Sequence, residues 1–242
     1  MTSYIIATTP RTGSWLLCGS LRATGVAGRP GEYGPAGETA TWHDFHGFRT
    51  HREYFSHFPA LSRTPNGVIG VKLIWYQFVS WGVEGRGYLA SDLSTPELIR
   101  SIIGPFHVVR LTRKDRLRQA ISLVRALQTG VWSRTSENSA ARHVPARYDP
   151  QEIERSLLNI QRQEQCWETL LTLIDRPTLR LTYEEVAADH VVACRRVLDF
   201  LGLHWRGDPQ DPVLQSQTDQ LTEEWLQRAR RDIDPRLWAV TG

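Results

Sequence analysis

The sequence predicts an α/β protein: one domain over residues 1–242, with a central, mostly parallel sheet of about four or five strands flanked by helices. Three observations carry that expectation. Short apolar runs of strand length alternate with longer stretches of helical periodicity, the pattern of a sheet covered on both faces. A length of 242 residues with 40% hydrophobic and 23% charged residues suits one large domain with an ordinary core. No internal repeat, low-complexity tract or long linker divides the chain.

The first strand is expected over residues 4–8, followed by a turn over 9–13 and a helix carrying the apolar positions Trp15, Leu16, Leu17 and Leu21. Residues 68–74 read as a second buried strand, interrupted by Gly70. Thr95-Pro96-Glu97 predicts a helix start, with Thr95 as cap and Pro96 in the first helical position, where an N–H would find no partner anyway. A strand over 106–111 follows, then a helix from about Lys114 to Thr129 that Gly130 stops. Asp149-Pro150 repeats the cap-and-proline signal and opens a helix to about Ile174. Residues 177–181 form another expected strand, and Thr182-x-x-Glu185 a capping box before one helix running to Leu201. Residues 25–40, 80–94, 133–148 and 207–220 show least periodicity and read as loops. In such folds these carry the site near the carboxyl ends of the strands.

A net charge of +3, from 29 basic and 26 acidic residues, argues against a dedicated nucleic-acid-binding face but is compatible with a small polyanion site. No run of eighteen apolar residues is present, so no transmembrane segment is expected. The opening Met-Thr-Ser-Tyr-Ile-Ile-Ala lacks the basic and long apolar segments of a signal peptide. Cys18, Cys166 and Cys194 are odd in number, far apart and in no metal spacing. Together these features predict a cytoplasmic protein with reduced thiols.

Two segments have anion-binding chemistry. Thr9-Pro10-Arg11-Thr12-Gly13-Ser14-Trp15 joins the first strand to the first helix, where unpaired N–H groups and a partial positive charge await an anion. Gly13 permits close backbone approach, Thr12 and Ser14 carry hydroxyls, and Arg11 adds a charged fork. Taken alone, the segment fits helix capping and anion binding equally. The string is not a Walker A loop, lacking its Lys-Ser/Thr pair and a magnesium-binding acid. The second segment follows the strand over 106–111: Arg113 stands at the strand end, and Arg118, Ser122 and Arg125 share one helical face opposite Leu117, Ile121, Val124 and Leu127. A solvated basic face is the alternative. Two anion-suited sites after strands of one sheet suit a ligand with two separated anionic groups.

These segments resemble the signatures of sulfotransferases that use 3′-phosphoadenylyl sulfate (PAPS). That resemblance implies that Pro10–Leu16, with Arg11, Thr12, Gly13, Ser14 and Trp15, binds the 5′-phosphosulfate, while Arg113 and Ser122 bind the 3′-phosphate. The closer likeness is to the bacterial trehalose 2-sulfotransferase family. It rests on Ser20-Leu-Arg-Ala-Thr-Gly-Val-Ala-Gly28, Arg63-Thr-Pro-Asn-Gly-Val68, Lys72-Leu-Ile-Trp75, Gln119-Ala-Ile-Ser122, Arg125-Ala-Leu-Gln-Thr129 with Val131-Trp132, Glu223-Glu-Trp225 and Arg230-Arg-Asp232. These occur in family order along nearly the whole chain. The resemblance implies a P-loop-like fold, a hydroxyl acceptor that is a carbohydrate or sugar-bearing small molecule, no metal, and a homodimer. It also assigns Glu32, in Pro30-Gly31-Glu32, the role of general base, with Arg11 offsetting charge on the departing phosphate. Arg29, Tyr33-Gly34, the short stretch 35–62 and the absence of an Arg near Ser216 depart from the family pattern, which leaves the acceptor open.

Other features read in more than one way. His43, His46, His51 and His57 lie among aromatics, which suits an amphipathic helix better than a zinc site, since no Cys or well-spaced acid completes a ligand set. One of them is the second candidate for the base. Lys72 suits contact with the transferred or leaving oxygens, or a structural salt bridge. The functional alternatives are a P-loop kinase using ATP and a non-catalytic nucleotide- or sugar-binding module.

Overall fold

Residues 2–33, 51–89, 92–132, 145–207 and 219–239 are described by the computed structural model. All six residues of β1 (Ser3–Thr8) are buried, as are all six of β2 (Ile69–Ile74), which marks strands covered on both faces. β1 pairs in parallel with β2 on one side and with β3 (Phe106–Thr112) on the other, and β3 pairs in parallel with β4 (Thr178–Thr182). The order is therefore β2-β1-β3-β4. After β1 the chain goes to one side for β2, then crosses to the other for β3. That reversal opens a crevice beyond the carboxyl ends of β1 and β3, the place where such sheets hold ligands.

Alternation along the strands separates two cores. Ile5, Ala7, Val71, Leu73 and Val108 face aromatic side chains of α2 (His51–Leu61), α3 (Trp75–Leu89) and α6 (Pro150–Ile174), among them the fully buried Trp81 and Trp167. Tyr4, Ile6 and Val109 face Leu17 and Leu21 of α1 (Ser14–Ala23) and Cys194 and Val197 of α8 (His190–Phe200). Each such large side chain contributes about 1.5–3 kcal/mol on leaving water. A third cluster joins α5 (Arg116–Thr129) to α6 and α9 (Gln220–Asp232) through Leu117, Ile121, Val124, Leu157 and Trp225. Leu127, expected on the buried side of α5, is 61% exposed, because the stripe turns away from α6 at the helix's end. No helix among the described residues is long and apolar enough to cross a membrane.

Four local expectations need correction. α3 runs to Leu89 through a stretch that reads as loop, with three glycines in six residues. A Cβ at Gly82 would meet the Thr95 hydroxyl at 1.9 Å and one at Gly85 would meet Leu98 at 2.5 Å, so contact with α4 (Thr95–Ile103) demands glycine within a helix. The cap of α4 is Ser94, one residue earlier than expected, and its N–H and hydroxyl both donate to the Glu97 carboxylate, at 2.9 and 2.6 Å. α5 starts at Arg116, two residues later than expected, because the Asp115 carboxylate caps it by accepting from the Arg118 N–H at 2.9 Å. The single helix expected after Thr182 is two, α7 (Tyr183–Ala188) and α8, separated at Asp189. Asp189 is extended (φ −154°, ψ 94°), and its carboxylate accepts from the Val192 N–H, starting the chain afresh.

Candidate active site

The loop after β1 is braced from beneath. Gln119 of α5, 1% exposed, donates to the Thr9 hydroxyl at 2.9 Å and to the Pro10 carbonyl at 2.7 Å. Thr9 in turn donates to Glu164 of α6 at 2.7 Å, and the Trp167 indole donates to the Thr8 carbonyl at 2.8 Å. Buried polar groups need such partners, and here they hold the loop's carbonyls inward. Gly13 has φ 70° and caps α1, and a Cβ on it would lie 2.4 Å from the Tyr183 ring. Only glycine satisfies both the left-handed conformation and that contact.

The expected loop residues divide in role. Thr12 is fully buried, its hydroxyl 2.5 Å from that of Thr8 and donating to the Thr9 carbonyl at 3.2 Å, so this side chain is engaged inside the loop. Ser14 is buried in the first turn of α1, and Trp15 is 37% exposed beside it. Arg11 has an unusual left-handed backbone, φ 66°. Its Nε donates to Ser122 Oγ at 2.9 Å, and it also donates to the Trp132 carbonyl.

The segment after β3 lies against this loop. Arg113 donates to the Arg11 carbonyl at 3.1 Å, and its guanidinium lies 4.3 Å from the centroid of Tyr183, a cation–π contact. Arg113 Nε is buried with no hydrogen-bond partner among the described residues. Burial holds the guanidinium of Arg11 down to about 10, aided by the neighbouring charges of Arg113 and Arg125; that of Arg113 is also lowered, chiefly by burial. Both stay positive at neutral pH, in a place that favours an anion. Arg118 and Arg125, on the same helical face, are already committed: Arg118 to Asp115 and Glu223, Arg125 to Asp219.

Glu32 reaches the other side of the same region. Arg22, in the last turn of α1, donates to the Pro30 carbonyl at 2.7 Å, and the Lys72 N–H donates to the Gly31 carbonyl at 2.8 Å. Residues 31 and 32 thus lie along the free edge of β2, with Glu32 bridged to Lys72. Lys72, 2% exposed, pairs its ammonium with one oxygen of Glu32, while the Gln77 amide donates to the other at 3.0 Å. The same ammonium stands 4.4 Å from the centroid of Trp15. A chain of contacts therefore joins Glu32 through Lys72 to the start of α1.

Sequence reasoning missed Gln77 and Tyr183, which act through contacts between distant segments and have no local motif, and it gave Gln119 no role although that residue opens the Gln119-Ala-Ile-Ser122 segment. His43 and His46 lie outside the described residues, as does the side chain of His51. His57 is exposed on α2, its ring at 2.8 Å from the Glu53 carbonyl. Among the described residues no three His, Cys, Asp or Glu side chains converge on a possible metal position.

The chain is similar in sequence and fold to known sulfotransferases. The family model described as Stf0 sulphotransferase matches residues 3–232. Trehalose 2-sulfotransferase of Mycolicibacterium smegmatis is 30% identical, covering 96% of this chain and 95% of its own. That of Mycobacterium tuberculosis is 31% identical, covering 98% and 97%. Among solved structures, the sulfotransferase domain of the Synechococcus olefin synthase superposes with a TM-score of 0.52 at 17% identity, over 100% of this chain and 88% of that one. A mouse sulfotransferase complexed with PAP superposes at 0.50 with 12% identity, over 98% and 82%.

Proposed function

The chain belongs to the Stf0 sulphotransferase family, and from that premise we propose that it moves a sulfuryl group from PAPS to a hydroxyl of a carbohydrate or sugar-bearing molecule, with Glu32 as general base. The observation that carries the proposal is the pair of adjoining cationic stations beyond β1 and β3, with a carboxylate linked to them through Lys72. The relatives named trehalose 2-sulfotransferase and the PAP-bound structural neighbour support the class of acceptor and donor.

In this reading the loop amides, Gly13 and Ser14 hold the 5′-phosphosulfate beside Trp15, and Thr12 contributes its backbone while its hydroxyl shapes the loop. Arg113 and Ser122 hold the 3′-phosphate, with Arg11 adding charge between the stations. Glu32 takes the acceptor proton as the hydroxyl oxygen bonds to sulfur; the bond from sulfur to the 5′-phosphate oxygen breaks, and its electrons leave with PAP. Lys72 and the helix start stabilise the charge growing on that oxygen. Homodimeric assembly is part of the same reading and rests on the family resemblance alone.

The test is transfer from radiolabelled PAPS to trehalose and related glycosides, with Glu32→Gln alongside. Glutamine keeps the size and one acceptor oxygen but cannot take the proton. Single-turnover rate is expected to fall by about 10²–10⁴, with PAP affinity nearly unchanged. Retention of more than about a tenth of the rate, short of that range, places the base elsewhere, and His57 is then the first alternative among the described histidines.

A further inference from the structure

The backbone around Glu32 is anchored on both sides. The Pro30 carbonyl accepts from Arg22 of α1 at 2.7 Å, and the Gly31 carbonyl accepts from the Lys72 N–H at 2.8 Å. A Cβ on Gly31 would lie 2.3 Å from Arg22 Nη2, so the chain passes hard against that guanidinium. Beyond Glu32, the Tyr33 carbonyl accepts from the Trp81 indole at 3.2 Å and from the Tyr54 hydroxyl. Contacts from α1, β2, α2 and α3 thus fix where the side chain of Glu32 begins. Its carboxylate is held at the far end by Lys72 and Gln77.

These two donors differ in what they can impose. Lys72 carries a compact charge on a flexible stem, and its N–H bonds turn to suit any acceptor. It holds an oxygen close without setting the plane of the carboxylate. Gln77 is a planar amide, buried at the third position of α3, and the backbone settles its orientation. β2 passes into α3 with no residue between them, and the Ile74 N–H at that junction donates to Gln77 Oε1 at 3.0 Å. An N–H only donates, so the amide oxygen cannot trade places with the nitrogen. The NH2 group therefore faces Glu32, donating to Oε2 at 3.0 Å. This is the reach-back half of a capping box, with the donor end of the amide left over for the carboxylate. An ionised carboxylate has about four lone-pair positions. Lys72 and Gln77 engage one on each oxygen and leave the others for an incoming proton.

We propose that Gln77 is a positioning residue for sulfuryl transfer: held by the Ile74 N–H, its amide sets the plane of the Glu32 carboxylate and presents an unused lone pair to the acceptor hydroxyl. The inference rests on the reading of Glu32 as general base. Among the described residues, the other ionisable groups around this carboxylate are Lys72 from β2, Arg22 and Cys18 from α1, and Tyr33. Burial pushes the Cys18 thiol up to about 11 and raises the Tyr33 phenol, so both stay neutral near pH 7.

Gln77→Glu isolates the donor. It keeps an oxygen for the Ile74 N–H, so the start of α3 stands, but replaces NH2 by a group that donates only while protonated. Burial and the ionised Glu32 favour the neutral form of the new carboxyl, while the Lys72 ammonium favours keeping the charge on Glu32. At low pH the new O–H takes the place of the amide. As pH rises it ionises, and two carboxylates repel. The ratio of variant to parent rate is therefore expected to fall about tenfold or more between about pH 6 and 8, with PAP affinity changed less than about twofold. Single-turnover decay of radiolabelled PAPS, with trehalose and with water alone as acceptor, reads the rate, and calorimetry reads PAP. Gln77→Met removes both ends of the amide at similar volume and is expected to lose about tenfold in rate at every pH. A ratio for Gln77→Glu that stays flat across this range overturns the inference, as does an unchanged rate in Gln77→Met. Glu32→Gln, assayed alongside, separates the two failures. If it keeps more than about a tenth of the rate, or if the parent consumes PAPS with neither acceptor, the reading of Glu32 itself falls. If Glu32→Gln is inactive while the Gln77→Glu ratio is flat, only the role of Gln77 falls.

Discussion

Lys72 is one of two lysines in the chain, and it is buried to 2% in the middle of a strand. An ammonium there requires a counter-charge, and Glu32, itself 27% exposed, provides it. The pairing has a consequence for testing the base: Glu32→Gln removes the charge and leaves the cation buried. Breaking a buried pair costs about 3–5 kcal/mol. Glutamine's remaining acceptor and the partial exposure of the site put this case at about 3 kcal/mol or less, a fall of several degrees in Tm. Adding Lys72→Met takes the orphaned charge away and sets a thioether against Trp15, a favourable contact. The double variant is therefore expected to regain at least half of the lost Tm by scanning calorimetry. Strictly additive losses would mean that the two side chains are not energetically coupled. From the sequence, Lys72 was legible as a residue near the site with two possible roles. Its partner was not, because nothing local links positions 32 and 72.

Helix and strand boundaries follow their caps closely. Asp149, Thr182 and Asp219 each cap the helix they precede, and the first two are visible in the sequence as cap-and-proline and capping-box patterns. Where the reading failed, tertiary contact outweighed local propensity, as in the glycines of α3 that let α4 approach. Asp219 illustrates a cap with two duties. It accepts from the Thr222 N–H at 3.0 Å at the start of α9 and takes both forks of Arg125 on α5, at 2.6 and 2.7 Å. The Arg125 fork above all, and then the Thr222 N–H, hold its carboxyl well below the usual range. A lowered folded pKa gives stability that is complete above the unfolded value of about 3.9 and is lost as pH falls below it. Asp219→Asn keeps the cap but loses the ion pair, which solvent screening limits to about 1 kcal/mol. The variant should melt a few degrees below the parent at pH 7, and that gap should close as pH drops below about 4. A gap independent of pH would assign the loss to the cap rather than to the pair.

At the scale of the molecule, the parallel sheet explains why two segments a hundred residues apart form one site. β1 and β3 are hydrogen-bonded neighbours in register from Ser3 with Phe106 to Thr8 with Leu111, so the loops leaving their carboxyl ends must meet. The alternation of strands and helices made that sheet readable, and the Arg11 and Ser122 motifs marked its two loops. The side-chain bond between them is a property of the fold alone. In the proposed function the same geometry predicts the nucleotide preference of the whole chain. In the proposed reading Arg113 meets the second anion directly as a cation, and the loop lacks the Lys-Ser/Thr pair and magnesium-binding acid with which a P-loop kinase would hold metal-bound ATP. Binding to the folded state alone stabilises it by about 2.7 kcal/mol at a hundredfold excess over Kd, which for a chain of this size is a rise of roughly 5–10 °C in Tm. PAP is expected to produce such a shift in the presence of EDTA, undiminished relative to its absence, because side-chain cations do the neutralising. 5′-AMP at the same concentration should shift Tm less, since it leaves the Arg113 station unfilled, and ATP with magnesium should not surpass PAP. A PAP shift that EDTA abolishes and magnesium or zinc restores would show that a metal completes the site. An ATP–magnesium shift larger than that of PAP would favour phosphoryl over sulfuryl transfer.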